Sequence, residues 1–171
     1  MARNRTSLRE FQQSLSERLV SARRGETSRA MLGILSGQEN WLLDLADAGE
    51  LIPLVQLTPV PLTKPWFRGI ANIRGVLYSV VDFSAFQGGE PTQISGNSRL
   101  LLAGSRYGIN CALLISRTLG LKNPDDIELQ PERSDERPWV GEQAVDSQNI
   151  VWKKLVLKNL LGQQQFLDIG N

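Results

Sequence analysis

The chain has 171 residues, 41% of them hydrophobic, and a formal net charge of +1 at pH 7, so it can form one sizeable domain or two small ones with a shared core. Because the net charge is close to zero, the overall electrostatic field of the protein cannot attract nucleic acid or an anionic membrane. Histidine is absent and Cys111 is the single cysteine, which excludes an internal disulfide and histidine-assisted nucleophiles and leaves zinc, iron and copper almost without ligands.

The first predicted element is a basic amphipathic helix within residues 1–29. The pattern S-x-x-E at Ser7 and Glu10 is a capping box that predicts the helix start. Apolar residues then recur at helical spacing, namely Leu8, Phe11, Leu15, Leu19 and Ala22. The helix would end near Gly25, and residues 1–30 carry seven arginines and three glutamates. Two roles stay open for it: packing on the main domain, or docking to a partner.

From residue 30 onward, short apolar segments alternate with turn residues, a pattern typical of β-strands. The predicted strands are 30–35, 41–45, 50–57, 76–83, 99–103, 109–115 and 150–157. The turn cluster 36–40 predicts a hairpin with a five-residue loop, and Pro53 places the third strand at a sheet edge or bulge. Short helices interrupted at Gly162 should follow the last strand.

Two polar segments are predicted as loops, one at 87–97 near the middle of the chain and one at 122–142, which carries three prolines and has room for one short strand. This distribution predicts an all-β barrel or sandwich and not a βαβ fold. The side chains expected in the core include Val76, Val80, Leu101, Leu113 and Ile115, and also Cys111. No apolar run approaches the ~18 residues of a membrane span, so a cytoplasmic protein is expected.

The segment 57–83 carries the most informative motif. Gly69 and Gly75 lie six residues apart and suit positive φ angles or close backbone crossings, while Asn72 can bond its own turn. Two roles stay open for Arg74: its guanidinium can point outward to a partner, or it can cap backbone carbonyls or pair with Asp82. The apolar neighbours of Asp82 predict a buried carboxylate that accepts hydrogen bonds from turn amides.

Two other classes of function use residues of the same region. Four carboxylates could supply a glycosidase-like pair, namely Asp44, Asp47, Glu50 and Asp82. Basic and aromatic residues interleave at Lys64, Trp66, Phe67, Arg68 and Arg74, which suits a β-barrel that binds single-stranded nucleic acid. The missing phosphate loop weakens the enzyme hypothesis, and the near-zero charge weakens the nucleic-acid hypothesis.

The motif resembles that of the CheW family, in which a G-x-x-N-L-R-G turn precedes a strand that ends in V-D-L. Here residues 69–75 read G-I-A-N-I-R-G and residues 81–83 read V-D-F. The resemblance extends from about residue 30 to residue 161. Residues 61–66 resemble the PilI-type branch, which serves type IV pili and twitching motility. Ser116 departs from the family pattern, where an acidic residue is usual.

The resemblance implies an all-β, CheW-like fold of two five-stranded SH3-like barrels that share a hydrophobic core. An N-terminal helix and a short C-terminal helix would accompany the barrels. Residues 1–29 would then form a helical extension and residues 30–171 the CheW-like domain, with a dividing loop near 87–97.

The implied function is that of a non-enzymatic adaptor without cofactors. It would couple the cytoplasmic tip of a methyl-accepting chemoreceptor to the regulatory domain of a CheA-type histidine kinase. It would be recruited to membrane-associated receptor arrays without direct membrane insertion, and nucleic acid would not be a partner. The partner-binding residues would be Arg74, Asn72, Glu50 and Ile73. Gly69, Gly75 and Asp82 would maintain the motif.

Overall fold

The computed structural model describes residues 30–131 and 134–171. The first sheet comprises β1 (Met31–Ser36), β2 (Glu39–Asp44), β9 (Arg117–Lys122), β10 (Ile127–Leu129), β11 (Val140–Asp146) and β12 (Val151–Leu155). The second sheet comprises β3 (Ala48–Pro53), β4 (Leu57–Thr58), β5 (Phe67–Ile73), β6 (Val76–Asp82), β7 (Arg99–Ala103) and β8 (Cys111–Ile115). Three short helices complete the fold: α1 (Phe83–Phe86), α2 (Leu157–Leu161) and α3 (Gln164–Leu167). The predicted N-terminal helix lies outside the described residues.

The two sheets repeat one pairing pattern. The first has the order β10-β11-β12-β2-β1-β9 and the second has the order β3-β7-β8-β6-β5-β4. Each contains a hairpin whose second strand pairs in parallel with a later strand, β2 with β12 and β6 with β8. The predicted all-β fold is confirmed. Each sheet has six strands because the short strands β10 and β4 pair at an edge.

A hydrophobic core lies between the two sheets, as predicted. It takes side chains from both, including Ile34, Trp41, Leu43, Phe67, Val81, Leu101, Leu113 and Ile115. Strand β8 is buried on both faces, which accounts for its continuous run of apolar residues. Cys111, Leu113 and Ile115 face the shared core, whereas Ala112 and Leu114 face a separate cluster of the second sheet.

The C-terminal helices cover one side of this core. Leu157, Leu160 and Phe166 from the C-terminal helices are buried in it. The ring of Phe166 lies 5.2 Å from the ring of Phe86 in an edge-on arrangement and 6.3 Å from that of Trp66, nearly parallel to it. The predicted short C-terminal helices are therefore present and are anchored by aromatic contacts.

Several local predictions need correction. The β1–β2 hairpin has a two-residue turn at Gly37 and Gln38, because Ser36 and Glu39 still pair across the strands. Val76 is 42% exposed and is not a core residue. It lies near the tip of the β5–β6 hairpin, beyond residues 79–82, which are the part of β6 that pairs with β8.

The prediction also missed strands β5, β9 and β11, the last two in or beside segments that it assigned to polar loops, whereas β10 is the short strand expected within 122–142. Loop 87–97 connects β6 to β7, both in the second sheet, so it does not separate the two sheets. The chain instead changes sheet between β2 and β3 and again between β8 and β9. At the second change the Ser116 N–H donates to the Leu35 carbonyl at 3.0 Å. Within the described ranges, no helix is long and apolar enough to cross a membrane.

Candidate functional site

The tip of the β5–β6 hairpin is a two-residue turn formed by Arg74 and Gly75, whose φ angles are 52° and 83°. Two positive φ angles are the hallmark of the tight hairpin turns that match the twist of the flanking strands. The Asn72 side-chain oxygen accepts a hydrogen bond from the Gly75 N–H at 2.9 Å. The motif N-I-R-G thus encodes a rigid turn that presents arginine in a conformation rare for residues with a side chain.

Gly69 shapes the other end of strand β5. Its φ angle is 116°, and a β-carbon there would overlap the carbonyl oxygen of Thr58 in β4. The register of β5 against β6 shifts between Phe67 and Gly69, which marks an irregularity in the ladder. Only glycine combines this backbone conformation with such a close approach.

The Arg74 side chain pairs with Glu50 on the edge strand β3. Its Nη1 donates to Glu50 Oε1 at 3.2 Å, and its Nη2 donates to Glu50 Oε2. The hydrogen bond from Arg74 lowers the pKa of Glu50, and the same bond raises the pKa of Arg74. Both side chains stay exposed, Arg74 by 68% and Glu50 by 45%. The two residues therefore form a bidentate ion pair on the protein surface.

Exposed apolar side chains either follow Arg74 in the chain or line the same hollow as Glu50. Leu77 is 60% exposed and Ile109 is 39% exposed, in addition to the exposed Val76. A hollow of about 300 Å³ is lined by Glu50, Tyr78 and Ile109 among others. Exposed apolar residues next to a fixed guanidinium are typical of a surface that binds another protein.

The remaining predicted partner-binding residues take different positions. Asn72 is exposed and bonds the turn. Ile73 is 7% exposed and packs in the separate cluster of the second sheet, so its side chain offers little surface to a partner. Tertiary structure therefore brings Arg74 and Glu50 together, whereas Asn72 and Ile73 hold the hairpin in place.

Asp82 lies at the opposite end of β6 and is fully buried. Its carboxylate accepts hydrogen bonds from the Thr92 N–H at 2.8 Å and the Thr92 hydroxyl at 2.7 Å. It also accepts from the Ala85 N–H at 3.3 Å and pairs with Arg68 at 3.4 Å. Asp82 thus closes the loop after α1 and does not pair with Arg74.

The carboxylates that suggested an enzyme are all engaged in ion pairs. Each pairs with a different cation: Asp44 with Lys154, Asp47 with Arg106, Glu50 with Arg74 and Asp82 with Arg68. Among the residues that the structure describes, no group of three or more acidic or cysteine side chains could hold a metal ion. This geometry disfavours a glycosidase-like pair, in which two carboxylates face one substrate.

The basic and aromatic residues that suggested nucleic-acid binding are also engaged within the protein. Lys64 pairs with Asp168 at 3.2 Å, and Arg68 and Arg74 pair with carboxylates as described above. Trp66 packs its ring edge-on against Phe86 at 5.1 Å. Paired cations and inward-packed rings do not form the basic stacking groove that single strands require.

An ion cluster in the first sheet was missed from the sequence. Arg137 donates to Glu39 at 2.9 Å and to Asp135 at 2.7 Å, and Lys153 contacts both carboxylates. Burial raises the pKa of Glu39, but the hydrogen bonds and charges of Arg137 and Lys153 outweigh it and the net pKa is lowered. The only local signal was the D-x-R spacing of Asp135 and Arg137 within a charged loop.

Comparisons with known proteins give a consistent result. Residues 30–163 match the model of the CheW-like domain family. The chain is 24% identical to PilI of Pseudomonas aeruginosa over 143 residues, which cover 81% of this chain and 79% of PilI. Its structure is similar to the crystal structure of the scaffolding protein TtCheW from Thermoanaerobacter tengcongensis. That match has a TM-score of 0.67 and 20% identity, and it covers 82% of this chain and 97% of TtCheW.

Proposed function

The chain belongs to the family of CheW-like domain proteins, and from this membership we propose that it is a non-catalytic adaptor in a signalling pathway. It couples the cytoplasmic tip of a methyl-accepting chemoreceptor to the regulatory domain of a CheA-type histidine kinase. The similarity to PilI favours the pathway of type IV pili and twitching motility over flagellar chemotaxis. The protein would act at the cytoplasmic face of membrane-associated receptor arrays.

The exposed Arg74–Glu50 pair carries this proposal. The turn fixes the backbone of Arg74, and the two hydrogen bonds to Glu50 hold its guanidinium in place before a partner arrives. A planar guanidinium can bond a carboxylate or two carbonyls along parallel directions, which lysine cannot reproduce. Since Glu50 and Arg74 are both accessible to water, a partner can replace or extend their contact without uncovering a buried charge.

Replacing Arg74 by alanine tests the proposal. We expect Arg74→Ala to weaken binding to one partner by about ten- to a hundredfold, the effect of losing hydrogen bonds from a charged donor at an interface. The melting temperature should change little because the ion pair is exposed. Affinity is measured for a receptor-tip fragment and for the kinase regulatory domain, beside a thermal melt of each variant.

Lys154→Ala provides a matched control. Lys154 is 36% exposed and pairs with a half-exposed carboxylate of the first sheet, that of Asp44. It lies on the other sheet from Arg74, so its loss should leave both affinities unchanged. A destabilised Arg74→Ala variant with normal affinity for both partners would exclude Arg74 from the binding site.

Exchanging the two charges separates a role in binding from a role in folding. The double variant Glu50→Arg/Arg74→Glu retains an ion pair of opposite direction. If partners contact the guanidinium at position 74, the double variant stays as weak as Arg74→Ala. Full recovery of binding would instead show that the pair only supports the hairpin.

A further inference from the structure

The two sheets repeat one pairing pattern, but their outer apolar clusters differ. These clusters lie apart from the shared core, one for each sheet. The cluster of the second sheet has seven buried residues: Ala71, Ile73, Val80, Leu100, Leu102, Ala112 and Leu114. The cluster of the first sheet has three: Met31, Leu42 and Trp152. The first sheet therefore covers its outer apolar face less completely.

The reason lies in the segment that joins the two edge strands of each sheet. In the second sheet, residues 54–56 connect β3 to β4, and Leu54 and Val55 pack against its outer cluster. In the first sheet, residues 123–126 connect β9 to β10 and read N-P-D-D. This connection contributes only Pro124 to the lining of the groove. A groove of about 400 Å³ remains at this position, lined by Met31, Leu42, Ile127, Leu129 and Ala144 among others.

The border of the groove is acidic. Asp44 and Glu142 line it directly, together with Lys154, which pairs with Asp44 at 3.4 Å. Glu142 has no ion-pair partner among the residues that the structure describes. The neighbouring hollow adds three carboxylates, those of Asp125, Asp126 and Glu128, and one cation, Lys122, which lies over the Trp152 ring. An occupant should therefore be apolar on one side and basic around it.

The chain itself supplies such a segment at this place. Met31, the first residue of β1, lines the groove, so residues 1–29 join the fold at its wall. Residues 7–24 contain four arginines against two glutamates. The six residues 25–30 can span up to about 20 Å, which is enough for the preceding segment to turn back over the groove.

We propose that residues 7–24 of the same chain cover this groove as an amphipathic helix, with their apolar stripe against the groove and their arginines facing its acidic border. The stripe comprises Leu8, Phe11, Leu15, Leu19 and Ala22. The helix thus takes the place that Leu54 and Val55 occupy on the second sheet. The site belongs to the first sheet, whereas Arg74 and Glu50 belong to the second, so this inference is independent of the proposed function.

Hydrogen exchange in the full-length chain tests the docking. We expect Leu15→Asp/Leu19→Asp to raise the exchange rate of the β10 and β11 amides by about tenfold, which corresponds to about 1.4 kcal/mol of lost protection. The matched control is Gln13→Asp/Ser21→Asp, which adds the same two charges to the opposite face of the helix. Because the control keeps the apolar stripe, it should raise the exchange rate much less than Leu15→Asp/Leu19→Asp does.

Cross-linking identifies the occupant. Leu129 is 55% exposed at the groove, and burial raises the pKa of the native Cys111 thiol to about 12, so that it stays unreactive. In a Leu15→Cys/Leu129→Cys variant, a short bismaleimide should link the two positions within one molecule. Unchanged exchange in Leu15→Asp/Leu19→Asp, equal effects of both Asp variants, or links only between molecules would each overturn the proposal.

Discussion

At the scale of single residues, burial separates two arginine–carboxylate pairs of the second sheet. The Asp82 side chain is fully buried, whereas those of Arg74 and Glu50 face water. A buried carboxylate must have partners for its lone pairs, so Asp82 fixes the loop that contains Thr92. An exposed pair contributes little to folding, which leaves Arg74 available for recognition.

We expect Asp82→Ala to destabilise the protein by about 3 kcal/mol, because the N–H and hydroxyl of Thr92 lose their acceptor in a buried position. The melting temperature should fall by on the order of 10 °C. Glu50→Ala serves as the control and should melt close to the wild type. Similar melting temperatures for the two variants would contradict the role assigned to Asp82.

At the scale of elements, the β5–β6 hairpin is defined at each end by a glycine with a different task. Gly69 lies against the Thr58 backbone, where a β-carbon would overlap the carbonyl oxygen. Gly75 lies in the turn, and a β-carbon added there would meet no atom within 4 Å beyond its chain neighbours. The first glycine is required by space and by conformation, whereas the second is required by conformation alone.

We therefore expect Gly69→Ala to cost about 2–4 kcal/mol, since it adds steric overlap to a strained φ angle. Gly75→Ala should cost only about 1 kcal/mol, from the left-handed conformation alone. Urea denaturation of both variants measures the difference. Equal losses would mean that β4 moves away from Gly69 without cost.

At the scale of the whole molecule, the ion cluster around Arg137 ties the polar segment 134–139 to the first sheet and to the segment after α1. Besides its two carboxylates, Arg137 donates to the Gln87 side chain at 2.7 Å and lies 5.2 Å from the centre of the Trp41 ring. Hydrogen bonds from Arg137 hold the pKa of Asp135 well below its ordinary value of 3.8. The net pKa of Glu39 is also lowered, from 4.5.

A lowered pKa in the folded state stabilises the protein above the ordinary pKa, and this contribution is lost as the pH falls through the lowered value. We therefore expect the melting temperature of the wild type to fall between about pH 5 and about pH 3 by more than that of Glu39→Gln/Asp135→Asn. The control variant Asp168→Asn removes the exposed ion pair with Lys64. Its melting temperature should depend on pH as that of the wild type does. Identical pH profiles for all three proteins would exclude the cluster as a source of acid sensitivity.

Much of this architecture is determined by residues close together in the chain. Strand alternation gave the positions of Val80, Leu101, Leu113 and Ile115, all of which are buried. The turn of the β5–β6 hairpin follows from the spacing of Asn72 and Gly75, because φ preferences and side-chain-to-backbone bonds act over a few residues. The same local motif was sufficient to indicate the family.

Only the tertiary structure decides what the chain brings together from a distance. Arg74 pairs with Glu50, a carboxylate 24 residues away, whereas the sequence suggested Asp82, which is nearer in the chain, as a possible partner. The alternation of apolar residues predicted which face of β6 Val76 lies on. It could not predict that the β5–β6 hairpin extends beyond strand β8 and leaves Val76 exposed. Which sheet a strand joins, and whether its outer face is covered, depend on pairings between segments separated by many residues, such as β1 with β9 and β2 with β12. These strand pairings depend on how the whole core is buried, so a pattern within a few neighbouring residues cannot predict them.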